Sequence, residues 1–190
     1  VENLGLEAVG VKVEKGAIVE DKFGKTTVDG IYAIGDVSGP PWLAHAASQQ
    51  GVVAVEHFAG KSVRSFDRSN IPSCTYCQPQ VASVGMTEEA AVAAGYKIKV
   101  GRFPYRPLGK AMAIGATEGT VKLIVDEKYG ELLGAHIFGA EATELIAELV
   151  LAKALETTNE EIHRTMHAHP TLSEAIMEAA GDAFGHAIHL

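Results

Sequence analysis

Two apolar, β-branched runs, residues 120–125 and 132–138, flank the short turn Glu127-Lys128-Tyr129-Gly130. A connection that short joins antiparallel neighbours, because a parallel crossover needs a dozen residues or more. The pair therefore commits this part of the chain to an antiparallel sheet. Residues 81–86 read as another strand, residues 97–103 alternate like one, and the short run 111–114 is also β-like. Between them Thr87-Glu88-Glu89 caps a short Ala-rich helix that closes at Gly95. From Glu141 the period changes to helical, with Leu145, Ile146, Leu149, Val150 and Ala154 on one face. Thr158-Asn159-Glu160-Glu161 forms a capping box that opens a helix through Met166, and a last helix runs from about 172 to 184. Strands followed by helices define an α+β domain, an antiparallel sheet with flanking helices.

The N-terminal part is patterned differently. Residues 1–28 hold short alternating segments separated by charged turns, as in small strands and a hairpin. Residues 31–34 form a wholly apolar run of the kind that fills a central strand buried on both faces. It ends in Gly35-Asp36, a tight turn with an acid at the strand's C-terminal end, where open α/β sheets bind ligands. Asp36 there suits ribose or polyol hydroxyls; a turn aspartate bonding its own backbone accounts for it equally well. After the loop Ser38-Gly39-Pro40-Pro41, Trp42-Leu43-Ala44-His45-Ala46-Ala47 starts a helix that reaches about residue 58 and stops at Gly60. Its N-terminus favours negative charge or an electron-rich ring edge. His45 either belongs to such a site or packs partly buried. The polar, aperiodic stretch 61–73 contains the expected domain boundary, near 67.

A net charge of −8 argues against nucleic acid or an anionic membrane as partner. Two cysteines cannot form a disulfide framework, which points to a reducing, cytoplasmic setting. There is no signal peptide or membrane-length apolar run, and Glu148 and Lys153 interrupt the longest helical one. The chain opens in mid-pattern at Val1, as a piece of a longer protein would.

Chemistry concentrates in His167-Ala168-His169-Pro170-Thr171-Leu172-Ser173-Glu174. The proline places His169 in extended backbone outside a helix, and Thr171 to Glu174 reads as a capping box. A loop histidine with a carboxylate five residues on can act as a general base. The acid accepts a hydrogen bond from Nδ1–H, which fixes the tautomer, and stabilises the imidazolium once Nε2 is protonated. Capping alone explains the same glutamate at no extra cost, and spacing by itself favours that reading. His163 and His167, four apart on one helical face, invite a metal, but Arg164 stands where the zincin pattern requires glutamate and no third ligand is evident. No metal site is expected. Cys74-Thr75-Tyr76-Cys77 lacks both the strand-to-helix context of a redox pair and the second ligand pair of a zinc site, leaving two ordinary thiols.

Three stretches in order, Thr26-x-x-x-Gly30-Ile31-Tyr32-Ala33-Ile34-Gly35-Asp36, Trp42-Leu43-Ala44-His45, and His167 through Ala175, resemble the C-terminal part of the flavin-dependent pyridine-nucleotide disulfide oxidoreductases. The branch that oxidises dihydrolipoamide is the most similar, and Pro79 to Met86 also looks like the family's interface domain. The resemblance covers essentially the whole chain. It implies that residues 1–67 are the C-terminal remnant of an α/β FAD-binding domain. Residues 68–190 would be an interface (dimerisation) domain. It further implies that Gly35, Asp36, Trp42, Leu43, Ala44 and His45 lie against FAD, with NAD as co-substrate. His169, held by Glu174, would be the catalytic base, serving the flavin of the other subunit in a homodimer. The implied partner is a lipoyl domain of a 2-oxoacid dehydrogenase or glycine cleavage complex. Glutathione-reductase-like disulfide reduction and a non-catalytic dimerisation module are the alternatives. The chain contains neither G-x-G-x-x-G nor the family's Cys-x-x-x-x-Cys, so alone it should be inactive and bind little FAD. Ala46, Gln50, Cys77 and Gln80 depart from the family's usual residues and should alter surface contacts only.

Overall fold

A computed structural model describes residues 1–189. The chain divides into two units between Arg68 and Ser69.

In the first unit, α1 (Leu6–Val9) is followed by β1 (Val13–Glu14) and β2 (Ala17–Ile18), which pair antiparallel around a turn at Lys15 and Gly16. Val11, Ile18 and Ala33 form a small core with Val28 and Ile31 against it. The run 31–34 is not the central strand its composition suggests. Its strand-like pairing is with residues 24–26 alone: Ala33 N–H donates to Gly24 O (2.8 Å), Thr26 N–H donates to Ile31 O (3.0 Å), and Lys25 bridges Tyr32, while Ile31 N–H closes a turn on Val28 O (3.2 Å). With one flank paired, only Ala33 is buried and Ile34 is exposed. A 3₁₀ turn, Gly35–Ser38, follows, and α2 (Ala44–Phe58) ends ahead of Gly60 as its sequence requires.

The second unit is built on one antiparallel sheet ordered β3-β4-β7-β6-β5: β3 (Ser73–Thr75), β4 (Gln80–Gly85), β5 (Ile98–Pro104), β6 (Gly119–Asp126) and β7 (Leu132–Gly139). The β6–β7 hairpin sits inside the sheet, with Val121 opposite Ile137 and Leu123 opposite Ala135. Alternation in β6 sorts the two faces. Val121, Leu123 and Val125 join the main core, while Ile124 meets Ala91 and Leu133 in a second one. The main core is closed by α5 (Ala142–Ala154) over β4 and β7, and by α7 (Glu174–Asp182) over β5 and β6. Burial of each such Leu, Ile or Val contributes about 1.5–3 kcal/mol. On the other side α3 (Glu88–Ala93) is capped as expected, Thr87 Oγ1 accepting from Ala90 N–H (3.2 Å).

Three expectations fail locally. Residues 111–114 lie not in a strand but in and beyond a helix, α4 (Gly109–Ala113). Leu108 and Ala111 are buried while Met112 and Ile114 are exposed, a three-residue spacing that so short a run conceals. In α6 (Asn159–Arg164), Thr158 makes no side-chain cap and the helix stops short of Met166. The Asn159 N–H at its entrance instead donates to Gly130 O (2.7 Å). Departures expected at the surface are partly internal. Ala46 and Gln50 are buried, and Gln80 Oε1 accepts from both the N–H and the hydroxyl of Thr143 at the head of α5.

Candidate active site

Every residue of the proposed base lies in the second unit. The segment between α6 and α7 is irregular, and the His169–Pro170 peptide in it is cis. His169 stands outside the helices, its side chain 75% exposed, with Nδ1 2.9 Å from Glu174 Oε1. A carboxylate oxygen only accepts, so Nδ1 carries the hydrogen and Nε2 presents its lone pair outward. Glu174 is only 13% exposed, and its second oxygen accepts from Thr171 N–H (2.8 Å). Burial pushes the Glu174 carboxyl up, but the Thr171 N–H and His169 outweigh it and hold it below the usual 4.5.

The capping box at 171–174 is thus half formed. The glutamate reaches back as the motif demands, while Thr171 Oγ1 donates to Ala168 O (2.7 Å) and Ser173 offers no cap. The same carboxylate therefore serves the turn and orients the imidazole. The two readings of Glu174 are compatible.

Sequence spacing misplaces His163 and His167. They do not share a helix face: His163 lies in α6 with Nδ1 3.3 Å from Met177 O, whereas His167 lies beyond it. His167 Nδ1 is 2.8 Å from Thr165 O and Nε2 is 2.9 Å from Glu148 Oε1. No group of three or more His, Cys, Asp or Glu side chains gathers around a common point among the described residues. Two further neighbours escape sequence reasoning. Gly109, at the start of α4, lies beside the His169 ring, since a β-carbon there would be 3.8 Å from His169 Cε1. The buried Glu178, one turn beyond Glu174, accepts from Ile188 N–H (2.8 Å) and pairs with His189 Nδ1. Nothing in the sequence signals either, because both depend on how α4 and the C-terminal segment pack. Cys74 and Cys77 are free thiols, Cys74 in β3 with its thiol pushed up by burial.

In the first unit Gly35 has a left-handed φ of 68°, and its N–H donates to the buried Gln50 Oε1 (2.8 Å). Asp36 is exposed on the 3₁₀ turn. Trp42 is 69% exposed, Leu43 half-buried, and Ala44 and His45 exposed, so His45 is not the packed histidine that is its commoner fate. Leu43 gives α2 no side-chain cap. An uncapped helix start beside an exposed carboxylate is a polar cradle able to take an electron-rich ring edge and hydroxyl groups.

The antiparallel unit, its histidine–glutamate pair and the turn-and-helix cradle define the class. The chain belongs to the pyridine nucleotide-disulphide oxidoreductase family, with residues 71–180 matching its dimerisation domain and residues 1–51 matching the pyridine nucleotide-disulphide oxidoreductase model. Among curated relatives, the dihydrolipoyl dehydrogenase of Rhizobium etli is 56% identical over all of this chain and 40% of its own length. That of Zymomonas mobilis is 53% identical, matched over 41% of its length. The chain thus spans about two-fifths of the relatives it matches. Among solved structures, LpdA from Mycobacterium tuberculosis superposes with a TM-score of 0.89 at 29% identity, over 94% of this chain and 39% of that one. The Cu(II) complex of the HOCl-induced flavoprotein disulfide reductase RclA from Escherichia coli gives 0.85 at 30%, over 94% and 41%. No helix among the described residues is long and apolar enough to cross a membrane.

Proposed function

We propose that this chain is the C-terminal portion of a dihydrolipoyl dehydrogenase: a FAD-binding remnant over 1–67 and an interface domain carrying the base over 68–190. The intact enzyme oxidises dihydrolipoamide to lipoamide, with a redox disulfide and FAD as carriers and NAD as acceptor. The observation that carries this reading is the exposed His169 imidazole bonded through Nδ1 to an anchored Glu174 carboxylate.

His169 Nε2 takes the proton of one substrate thiol, leaving the thiolate that attacks the enzyme disulfide. Glu174 keeps the ring in the tautomer that exposes Nε2 and offsets the positive charge that develops on it. Its bond to Thr171 N–H holds the carboxylate still while the ring changes charge. Asp36 would bind hydroxyls of the FAD chain, and the left-handed Gly35, tied to Gln50, fixes the turn that presents it. Trp42, Leu43, Ala44 and His45 would hold the flavin at its pyrimidine edge, the α2 dipole favouring electron density there. When bound, FAD supplies the two-electron acceptor for the dithiol's electrons.

His169 works across a homodimer, on the disulfide and flavin of the partner subunit. The substrate arrives on a lipoyl domain of a 2-oxoacid dehydrogenase or glycine cleavage complex, in the cytoplasm. Relatives named dihydrolipoyl dehydrogenase at 45–56% identity favour dihydrolipoamide over glutathione disulfide. Assaying the full-length protein with both substrates tests the reading. Turnover of dihydrolipoamide with NAD is expected, and turnover of glutathione disulfide alone would overturn it.

A further inference from the structure

His167 precedes the base by two residues and is held on both sides. Its ring is almost fully enclosed, the side chain 5% exposed, with Thr165 O at 2.8 Å from Nδ1 and Glu148 Oε1 at 2.9 Å from Nε2. A carbonyl and a carboxylate both only accept, so satisfying both requires the ring to donate from both nitrogens, as an imidazolium. Glu148 sits on α5, packed on β4 and β7, whereas His169 sits on the irregular segment leading to α7.

We propose that His167 is a positioning residue for His169, a charged clamp that pins the base-bearing segment to α5 through Glu148. The inference rests on the proposed role of His169. A neutral His167 loses one of its two bonds, and the segment loses its fixed point two residues from the base. The charged groups facing His167 are Glu148 from α5 and Glu174 from the head of α7; its own segment contributes the Thr165 carbonyl. The bond to Glu148 is the main influence holding the His167 imidazolium above its ordinary 6.5, against burial. The clamp is therefore complete below the ordinary 6.5. It opens as pH rises through that raised value, the direction expected for a histidine that gains a partner on folding.

The test uses the intact enzyme and two variants, His167→Phe, which keeps the ring's bulk, and Glu148→Gln, which keeps the shape of the acid. Both should lower kcat for dihydrolipoamide by about 10²-fold, the scale of a misplaced catalytic group. NADH-driven reduction of ferricyanide, which needs no thiol deprotonation, should stay at the parental rate. In Glu148→Gln the alkaline limb of kcat/KM should move to lower pH, which a purely structural contact would not cause. Unchanged kcat and an unmoved alkaline limb in Glu148→Gln would overturn the proposal, even should His167→Phe fail to fold. The His169→Gln variant separates the two readings. If it loses turnover while Glu148→Gln matches the parent, the clamp alone is wrong; if it retains full turnover, the base assignment itself is wrong.

Discussion

Gly101 and Ala179 meet so closely that a β-carbon at position 101 would lie 1.9 Å from the Ala179 carbonyl oxygen. The bare backbone of β5 is what lets α7 rest on the sheet, and α7 carries Glu174 at its head. Sheet packing and the His169–Glu174 geometry are therefore one arrangement.

Gly101→Ala is expected to push α7 outward, since the blocking atoms are backbone and cannot swing aside. Overpacking of this kind costs about 1–3 kcal/mol or more. Urea unfolding of the intact protein should show that loss, and dihydrolipoamide turnover should fall with it as Glu174 shifts away from His169. Unfolding at the parental midpoint would show that α7 does not seat where described.

Glu174 makes stability depend on pH in a defined direction. Its folded value lies below the ordinary 4.5, so its contribution is present above 4.5 and lost as pH falls through the depressed value. Glu174→Gln should thus be less stable than the parent near neutrality, and the two urea midpoints should converge in acid. A gap that stays constant from neutrality into acid would contradict the description of this carboxylate.

The C-terminal segment is held by a carboxylate too. Glu178 is 1% exposed and accepts the Ile188 N–H while pairing with His189. In Glu178→Ala, amide hydrogen exchange at Ile188 should speed up strongly, and stability should drop by about 1–3 kcal/mol as the Ile188 N–H loses its acceptor. Retained protection at Ile188 would show that something else holds the segment.

Legibility from sequence followed the range of the interactions. The β6–β7 hairpin, the apolar face of α5 and the Thr87 cap were readable, because period and capping act over a few residues. His169 and Glu174 were readable as a pair because only one turn separates them. Glu148 and His167 were not, being 19 residues apart and joined only by the way α5 packs. Residues 31–34 misled because an apolar composition specifies burial without specifying which strands pair beside it. Residues 111–114 misled because four residues cannot distinguish a period of two from one of 3.6. At Gln50 the change from the family's usual residue was visible, but not that its amide would sit buried against the Gly35 N–H.

The sharpest test is the steady-state kcat of His169→Gln in the intact enzyme, measured with dihydrolipoamide and NAD at neutral pH. A glutamine at this position cannot take the thiol proton, so turnover should fall by about 10²–10⁴ with flavin content unchanged. Turnover equal to the parent, with the same flavin content, would contradict the assignment of this imidazole as the base.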